Sequence, residues 1–343
     1  MLRTHIPTVT ASELGALPAV VRESSGGRGL RRLLAESGIP TAVLDTPQAR
    51  IPTEAMVQLF DAAAREVGDD DFGLRVGRGT GLEDFGDWVA YAAGGCNLGA
   101  ALRRLCDTMW VHETGGRMGL APKSRHVIWY HTTGLAVDCQ LRAYSDHLVK
   151  PMLDFMRAFL GEDWEPDWLE LDFPKPACRS AYAELIDGPV VFDRPYVSMP
   201  IRRSELRATC QVAHLLPRPV TSIDLKKYRV QQNADPLEQM IDLIDLGFSD
   251  GRPTLDRTAR LLGVGPRSLQ RNLSRNGTQF RTLLEVARKR RAAALLLETG
   301  RPVKAIAGDL GYCEAENFTH AFRSWYGTNP TDFRAAGQAQ DGM

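Results

Sequence analysis

Two short stretches near the C-terminal end carry side chains suited to reading the hydrogen-bonding edges of nucleobases. In the first, PRSLQRNLSR (266–275), Arg267, Ser268, Gln270, Arg271 and Ser274 lie outward on a helix whose inward side holds Leu269 and Leu273. A guanidinium fork pairs bidentately with guanine O6 and N7, and a glutamine amide with adenine N6 and N7, each adding about 1–3 kcal/mol of discrimination. In the second, AENFTHAFRSWY (315–326), Ala315, Glu316, Thr319, His320 and Arg323 lie outward, and Phe318 and Phe322 inward. Glu316 suits cytosine N4, the Thr319 methyl suits thymine, and His320 can donate to a base or a phosphate. This face is less basic than the first, so it either reads sequence more weakly or anchors mainly to the backbone.

Side chains reach base edges only when a scaffold presents them, and the flanking pattern supplies one. Leu255, Thr258, Ala259 and Leu262 recur at i, i+3, i+4 and i+7, and Gly263 follows where the chain must turn sharply. Helix, tight turn, then a helix with a polar outer face is the helix-turn-helix pattern. The pattern returns 48 residues later as Val303, Ile306, Ala307 and Leu310, then Gly311, with Phe318 and Phe322 repeating the inward pair after a one-residue insertion. A repeat in phase weighs more than either copy alone. Between the copies, 279–298 reads as a helix, about 30 Å long at 1.5 Å per residue. Successive major-groove faces on one side of B-DNA lie about 34 Å apart, so such a rod holds two reading helices near one duplex turn. Its run Arg288-Lys289-Arg290-Arg291 either meets phosphates or forms a solvated face. Leu269, Leu273, Phe318, Phe322 and Trp325 are assigned to the core. Upstream, Asp235-Pro236-Leu237-Glu238 opens a further helix, with Asp235 as N-cap and Glu238 placed to reach back to the cap amide.

Charge marks the same region. Residues 251–336 hold 15 Lys/Arg against 7 Asp/Glu, whereas 1–250 hold 27 against 34, although the chain of 343 residues is neutral as a whole. Only the basic part is expected to meet a polyanion. The remainder predicts an α+β ligand-binding or dimerising domain over 29–206, after an N-terminal segment 1–28, with a linker over 207–234, the helical DNA-binding domain over 235–335 and a tail over 336–343. Within the basic domain the two helix-turn-helix units span 254–274 and 302–325. Helices are predicted at 52–67, 99–111 and 144–160, and strands around 119–120 and at 126–131, 168–173 and 190–192.

Other chemistries find little support. A nucleophile elbow GxSxG, a Walker loop, an HExxH pair and a GxGxxG after a strand are all missing, so an enzyme is not expected. Neighbours such as Asp146-His147 and His112-Glu113 point in different directions on a helix or strand and do not form catalytic pairs. Six scattered cysteines without a CxxC pair argue against a zinc ribbon, a disulfide framework or a zinc-thiolate alkyl acceptor, and read as reduced, mostly buried thiols. The sequence lacks a secretory leader or an 18-residue apolar run, which predicts a cytoplasmic protein with no membrane partner.

The stretch GYCEAENFTHAFRSWYGTNPTDFR (311–334) resembles the signature of the AraC/XylS transcription regulators through Gly311, Tyr312, Phe318, Phe322-Arg323, Gly327, Pro330, Phe333 and Arg334. More loosely, FGLRVG (72–77), FGDWVAYAAGGCNLGAALRRL (85–105) and VVFDRPYVSMP (190–200) resemble the arabinose-binding-like ligand-binding domain of one branch of that family. The resemblance implies a regulator, an activator rather than a repressor, that binds double-stranded promoter DNA through the outward positions named above. It further implies RNA polymerase as a partner, a small organic effector, a possible homodimer and no cofactor. Effector pockets are mostly apolar with a few polar groups. Trp88, Tyr91, Trp110, Trp129 and Tyr144 are the candidate lining, with His112, His131 or Arg142 to orient a ligand; the alternative is an ordinary aromatic core.

Overall fold

The computed structural model describes residues 6–135, 141–176, 180–211, 219–228 and 235–341. They divide into two compact units, one formed by 6–37 with 46–228, the other by 38–45 with 235–341.

The first unit combines two sheets with helices. Strands β1 (Thr8–Thr10), β2 (Arg50–Pro52) and β3 (Glu113–Thr114) form an antiparallel sheet ordered β2-β1-β3. Strands β4 (Arg117–Lys123), β5 (His126–Thr132), β6 (Leu169–Glu170), β7 (Val190–Val191) and β8 (Val197–Arg202) form the second sheet, ordered β4-β5-β8-β6-β7. Opposite Trp129 stand Leu120 on β4 and Met199 on β8; opposite His131 stand Met118 and Val197. Because side chains alternate along a strand, Trp129 and His131 share one face of β5. The strand expected over 168–173 shrinks to two residues, and β8, not anticipated, lies in the middle of the sheet.

Around these sheets run α1 (Leu17–Glu36), kinked at Gly26, α2 (Thr53–Val67), α3 (Phe72–Arg78), α4 (Gly86–Ala93), α5 (Leu98–Thr108), α6 (Arg142–Leu160) and the short α7 (Ser180–Ala183). The FGLRVG motif is helix α3, and it packs closely on α6: a Cβ at Gly73 would stand 2.2 Å from the Ala143 carbonyl oxygen. The stretch 1–28, set apart by sequence, supplies β1 and the start of α1 to this unit. Buried Trp129 meets Phe155 of α6 with ring centroids 5.9 Å apart, joining sheet to helix.

The second unit is helical: α8 (Pro236–Leu246), α9 (Leu255–Leu261), α10 (Pro266–Arg275), α11 (Phe280–Glu298), α12 (Val303–Asp309), α13 (Ala315–Tyr326) and α14 (Pro330–Asp341). Asp235 caps α8 by accepting from the Leu237 amide at 3.1 Å, but Glu238 does not reach back; its carboxylate takes Arg290 at 2.6 and 3.0 Å. The positions predicted to face inward do so, with Ala259, Leu269, Leu273, Ile306, Ala307, Phe318 and Phe322 at 0–1% exposure. Helix α14 continues to Asp341, through the stretch read as a tail.

The two turns are built alike. Gly263 and Gly311 adopt φ of +65° and +79°, which side chains beyond glycine rarely tolerate. Each donates back three residues, to Arg260 at 3.0 Å and to Gly308 at 2.9 Å. The amide after each glycine donates back five, Val264 to Ala259 and Tyr312 to Ala307, both at 2.9 Å.

The cations of the basic run on α11 are engaged within the protein, with Arg290 still half exposed. Arg288 donates to the Leu310 carbonyl at 3.0 Å and lies over the Tyr312 ring, Lys289 lies over the Tyr326 ring, and Arg291 meets Asp245 at 3.0 Å. These charges staple α11 to α8 and to the α12–α13 turn. Segment 38–45 belongs to this unit through Thr41, whose amide donates to Asp250 at 3.0 Å, the carboxylate that also takes Arg257 at 3.1 Å. The cysteines depart from expectation: Cys96 and Cys313 are exposed, and Cys106 and Cys210 half-buried. Cys139 and Cys178 lie outside the described residues, as do parts of the 207–234 stretch.

Candidate functional site

On α10, Arg267, Gln270 and Arg271 are exposed and Ser268 half-buried; on α13, Glu316, His320 and Arg323 are exposed, with Ala315 and Thr319 half-buried. The Thr319 hydroxyl donates to the Ala315 carbonyl at 3.0 Å, which leaves its methyl as the outward group. Trp325, assigned to the core, is half-buried and donates from its indole to Glu285 at 2.9 Å.

The cations of the unit are used in two ways, and those that make no ion pair among the described residues include Arg252, Arg281 and Lys304 outside these two helices. Arg257, Arg290, Arg291 and Arg301 each hold a carboxylate, and Arg288 and Arg334 each hold backbone carbonyls. Arg267, Arg271 and Arg323 make no ion pair among the described residues. Helix α10 starts at Gly265 and Pro266 without a side-chain cap, so its first amides remain available to an anion. Helix α13 instead carries Glu314 and Glu316 at its start, which disfavours a phosphate there.

The first unit encloses a cavity of about 540 Å³, including its mouth. Most of its wall is apolar: Leu82, Phe85, Trp88, Val89, Leu105 and Met109 on one side, Met118 and Trp129 on the sheet, and Leu148, Pro151, Met152 and Phe155 from α6. Its polar groups are Glu13, His112, Glu113 and His131. Of the residues proposed from sequence, Trp88, His112, Trp129 and His131 thus line one space. Tyr91 and Trp110 do not line it; the Tyr91 ring carries Arg104, and the Trp110 carbonyl accepts from Arg50. Tyr144 is fully buried, and Arg142 pairs with Asp71 at 3.3 Å; neither lines the cavity.

The polar groups form two buried pairs. Glu13 accepts from His112 at 2.6 Å and from His147 at 3.0 Å, and the other ring nitrogen of His112 meets the Thr10 hydroxyl at 2.8 Å. Burial alone would raise the Glu13 carboxyl, but the two histidines hold it well below the usual carboxylate range. Glu113 takes His131 at 2.8 Å, and its negative charge outweighs burial to raise His131 above its ordinary value. Arg50, near Glu113, donates to the Trp110, Val111 and His112 carbonyls, and burial lowers it to about 10. The His112 ring stacks on Trp88, centroids 4.8 Å apart and planes 3° apart. His112 and Glu113, adjacent in sequence, each find a distant partner instead of each other.

Among the described residues no group of three or more His, Cys, Asp or Glu is arranged to hold a metal ion, and no helix is long and apolar enough to cross a membrane.

Residues 27–209 match the family described as the arabinose-binding domain of AraC transcription regulators, N-terminal, and residues 258–336 match a helix-turn-helix domain family. The chain is 42% identical over 98 residues to the HTH-type transcriptional regulator VqsM of Pseudomonas aeruginosa, a match spanning 29% of this chain and only 30% of that relative. It is 25% identical over 297 residues to the ornithine utilization regulator of the same organism, covering 86% and 87% of the two chains. Among solved structures, the transcriptional regulator CdpR from Pseudomonas aeruginosa aligns over 90% of this chain and 97% of its own, with 23% identity and a TM-score of 0.41. These matches are to transcription regulators, not to enzymes.

Proposed function

We propose, from the premise that this chain belongs to the AraC family of DNA-binding transcription regulators and carries an arabinose-binding-type N-terminal domain, that α10 and α13 enter successive major grooves of promoter DNA. The observation that carries the reading is the division of labour among cations. Within the basic unit many arginines are consumed by protein partners, while Arg267 and Arg271 stand outward on α10 with their donors open. Arg267, Gln270 and Arg271 read bases there, with Ser268 at the groove edge. The α10 amides meet a phosphate; such backbone contacts set register without carrying sequence. On α13, Glu316 and the Thr319 methyl read bases, Ala315 packs against the groove wall, and His320 and Arg323 reach base or backbone. Helix α11, with 19 residues and so about 28 Å of length, sets the spacing between the two.

The cavity of the first unit is the site of a small-molecule effector, with Trp88, His112, Trp129 and His131 in its wall. Its apolar wall with a few convergent polar groups has the usual character of ligand sites. The protein works in the cytoplasm as an activator that engages RNA polymerase and pairs with a second copy of itself. Selection of the full chain against random duplexes, followed by fluorescence anisotropy at two salt concentrations, tests the DNA half. A selected duplex should bind at least 10³-fold more tightly than random duplex, at the lower end for specific regulators; equal affinity for both would overturn the reading.

A further inference from the structure

Two residues of the cavity wall each carry a buried polar atom that the protein leaves unsatisfied. Glu113 and Trp129 both line the cavity and are 3% and 2% exposed. Glu113 gives one carboxylate oxygen to His131, yet its Oε1 is buried without a hydrogen-bond partner, as is the indole Nε1–H of Trp129. Leaving a buried donor or acceptor unpaired costs about 1–3 kcal/mol, more for a charged group, and native proteins seldom tolerate it without cause. One atom asks for a donor and the other for an acceptor.

Charge narrows the answer. The wall contains two carboxylates, Glu13 and Glu113, and no lysine or arginine. The nearby cation Arg50 is not in the wall, and it donates to three backbone carbonyls. Both ring nitrogens of His112 are likewise engaged, by Glu13 and Thr10. A carboxylate ligand would add a third negative charge, in low dielectric, to two carboxylates whose histidine partners His112, His147 and His131 are already engaged with them, which is expensive.

Building on the effector reading above, we propose that this cavity selects an uncharged amphiphile: an apolar body among Trp88, Met109, Met152 and Phe155, and a hydroxyl or carboxamide head that donates to Glu113 Oε1 and accepts from Trp129 Nε1–H. The acid of the same skeleton is excluded by Glu13 and Glu113.

A matched series tests this with the full chain: decan-1-ol, decanamide and sodium decanoate at pH 7.5, below their micellar or solubility limits, titrated by calorimetry and by tryptophan fluorescence. The alcohol and the amide are expected to bind at least tenfold more tightly than decanoate. Trp129→Phe, which keeps an aromatic ring and removes the donor, should weaken the alcohol and the amide about five- to tenfold. Glu113→Gln should narrow the gap between decanoate and the alcohol, because it removes one of the repelling charges. Decanoate binding as tightly as the alcohol, or Trp129→Phe leaving both neutral ligands unchanged, would overturn the head-group assignment while the effector cavity stands. Binding by none of the three, in a protein with unaltered thermal unfolding, would overturn the cavity itself and this inference with it.

Discussion

Asp146 offers a test of the first unit that turns on one buried charge. It lies on α6, fully buried, accepting the Tyr182 hydroxyl at 2.7 Å on one oxygen while the other has no hydrogen-bond partner and sees Arg142 only at 3.6 Å. Burial raises its carboxyl from the ordinary 3.8 to about 7, against the lowering influence of Tyr182 and Arg142. A carboxyl raised on folding binds more protons in the folded than in the unfolded state, so stability falls as pH climbs from about 4 towards 7. At 1.36 kcal/mol per pH unit the charged folded form carries a penalty of about 4 kcal/mol above neutrality. Asp146→Asn keeps an oxygen for Tyr182 and removes the charge; a buried amide costs about 1–3 kcal/mol of its own. A net gain of about 2 kcal/mol at pH 8 follows, or roughly 4–8 °C in melting temperature for a unit of this size. At pH 5 the wild-type carboxyl is protonated in the fold, and the advantage should shrink by about 2–3 kcal/mol. Scanning fluorimetry of both proteins from pH 5 to 8.5 measures this, and the difference between them cancels the groups they share. A pH-independent difference, or a variant less stable at pH 8, would refute the reasoning.

Further predictions concern the helical unit. Arg271→Ala should abolish preference at one base position, at about 1–3 kcal/mol, with little effect on random duplex; a uniform loss in competition binding across sequences would reassign it to a phosphate. Arg288→Ala should lower thermal stability by about 1–3 kcal/mol through the lost Leu310 contact, while the salt dependence of DNA binding stays unchanged. A salt slope reduced by about one would mark Arg288 as a phosphate ligand instead. Gly311→Val forces a β-branched residue to φ of +79° and brings a Cβ within 3.2 Å of the Arg252 side chain. It should cost at least about 1–2 kcal/mol and abolish specific binding; full activity in a promoter-binding assay would contradict the turn.

The helical unit was the more legible half, for a physical reason. A helix-turn-helix is local: its inward residues recur every three or four positions, and its turn needs a glycine, so Ala259, Gly263, Phe318 and Gly311 declare themselves within a few residues of their partners. The basic run on α11 stayed ambiguous because what occupies its arginines, Glu238 and Asp245, lies about fifty residues upstream on another helix. The first unit hid more. Strand β8 is buried on both faces over Val197–Ile201 and contains Pro200, so it shows neither alternation nor the usual strand composition. Helix α1 contains Gly26, Gly27 and Gly29 and is kinked at Gly26. Four of the eight candidates named from sequence line the cavity, because large aromatics and histidines stand out. Glu13 was missed: its partners His112 and His147 are 99 and 134 residues away, and no local pattern announces such a pairing.

The central claim is that two helices read two grooves on one side of the duplex. Methylation interference at guanine N7 on a selected duplex, using the full chain, tests it most directly, because it reports the major groove base by base. The account predicts two interference windows with centres about 10 base pairs apart on the same face. In Arg271→Ala only the window read by α10 should lose a contact. A single window, or two on opposite faces of the duplex, would contradict it.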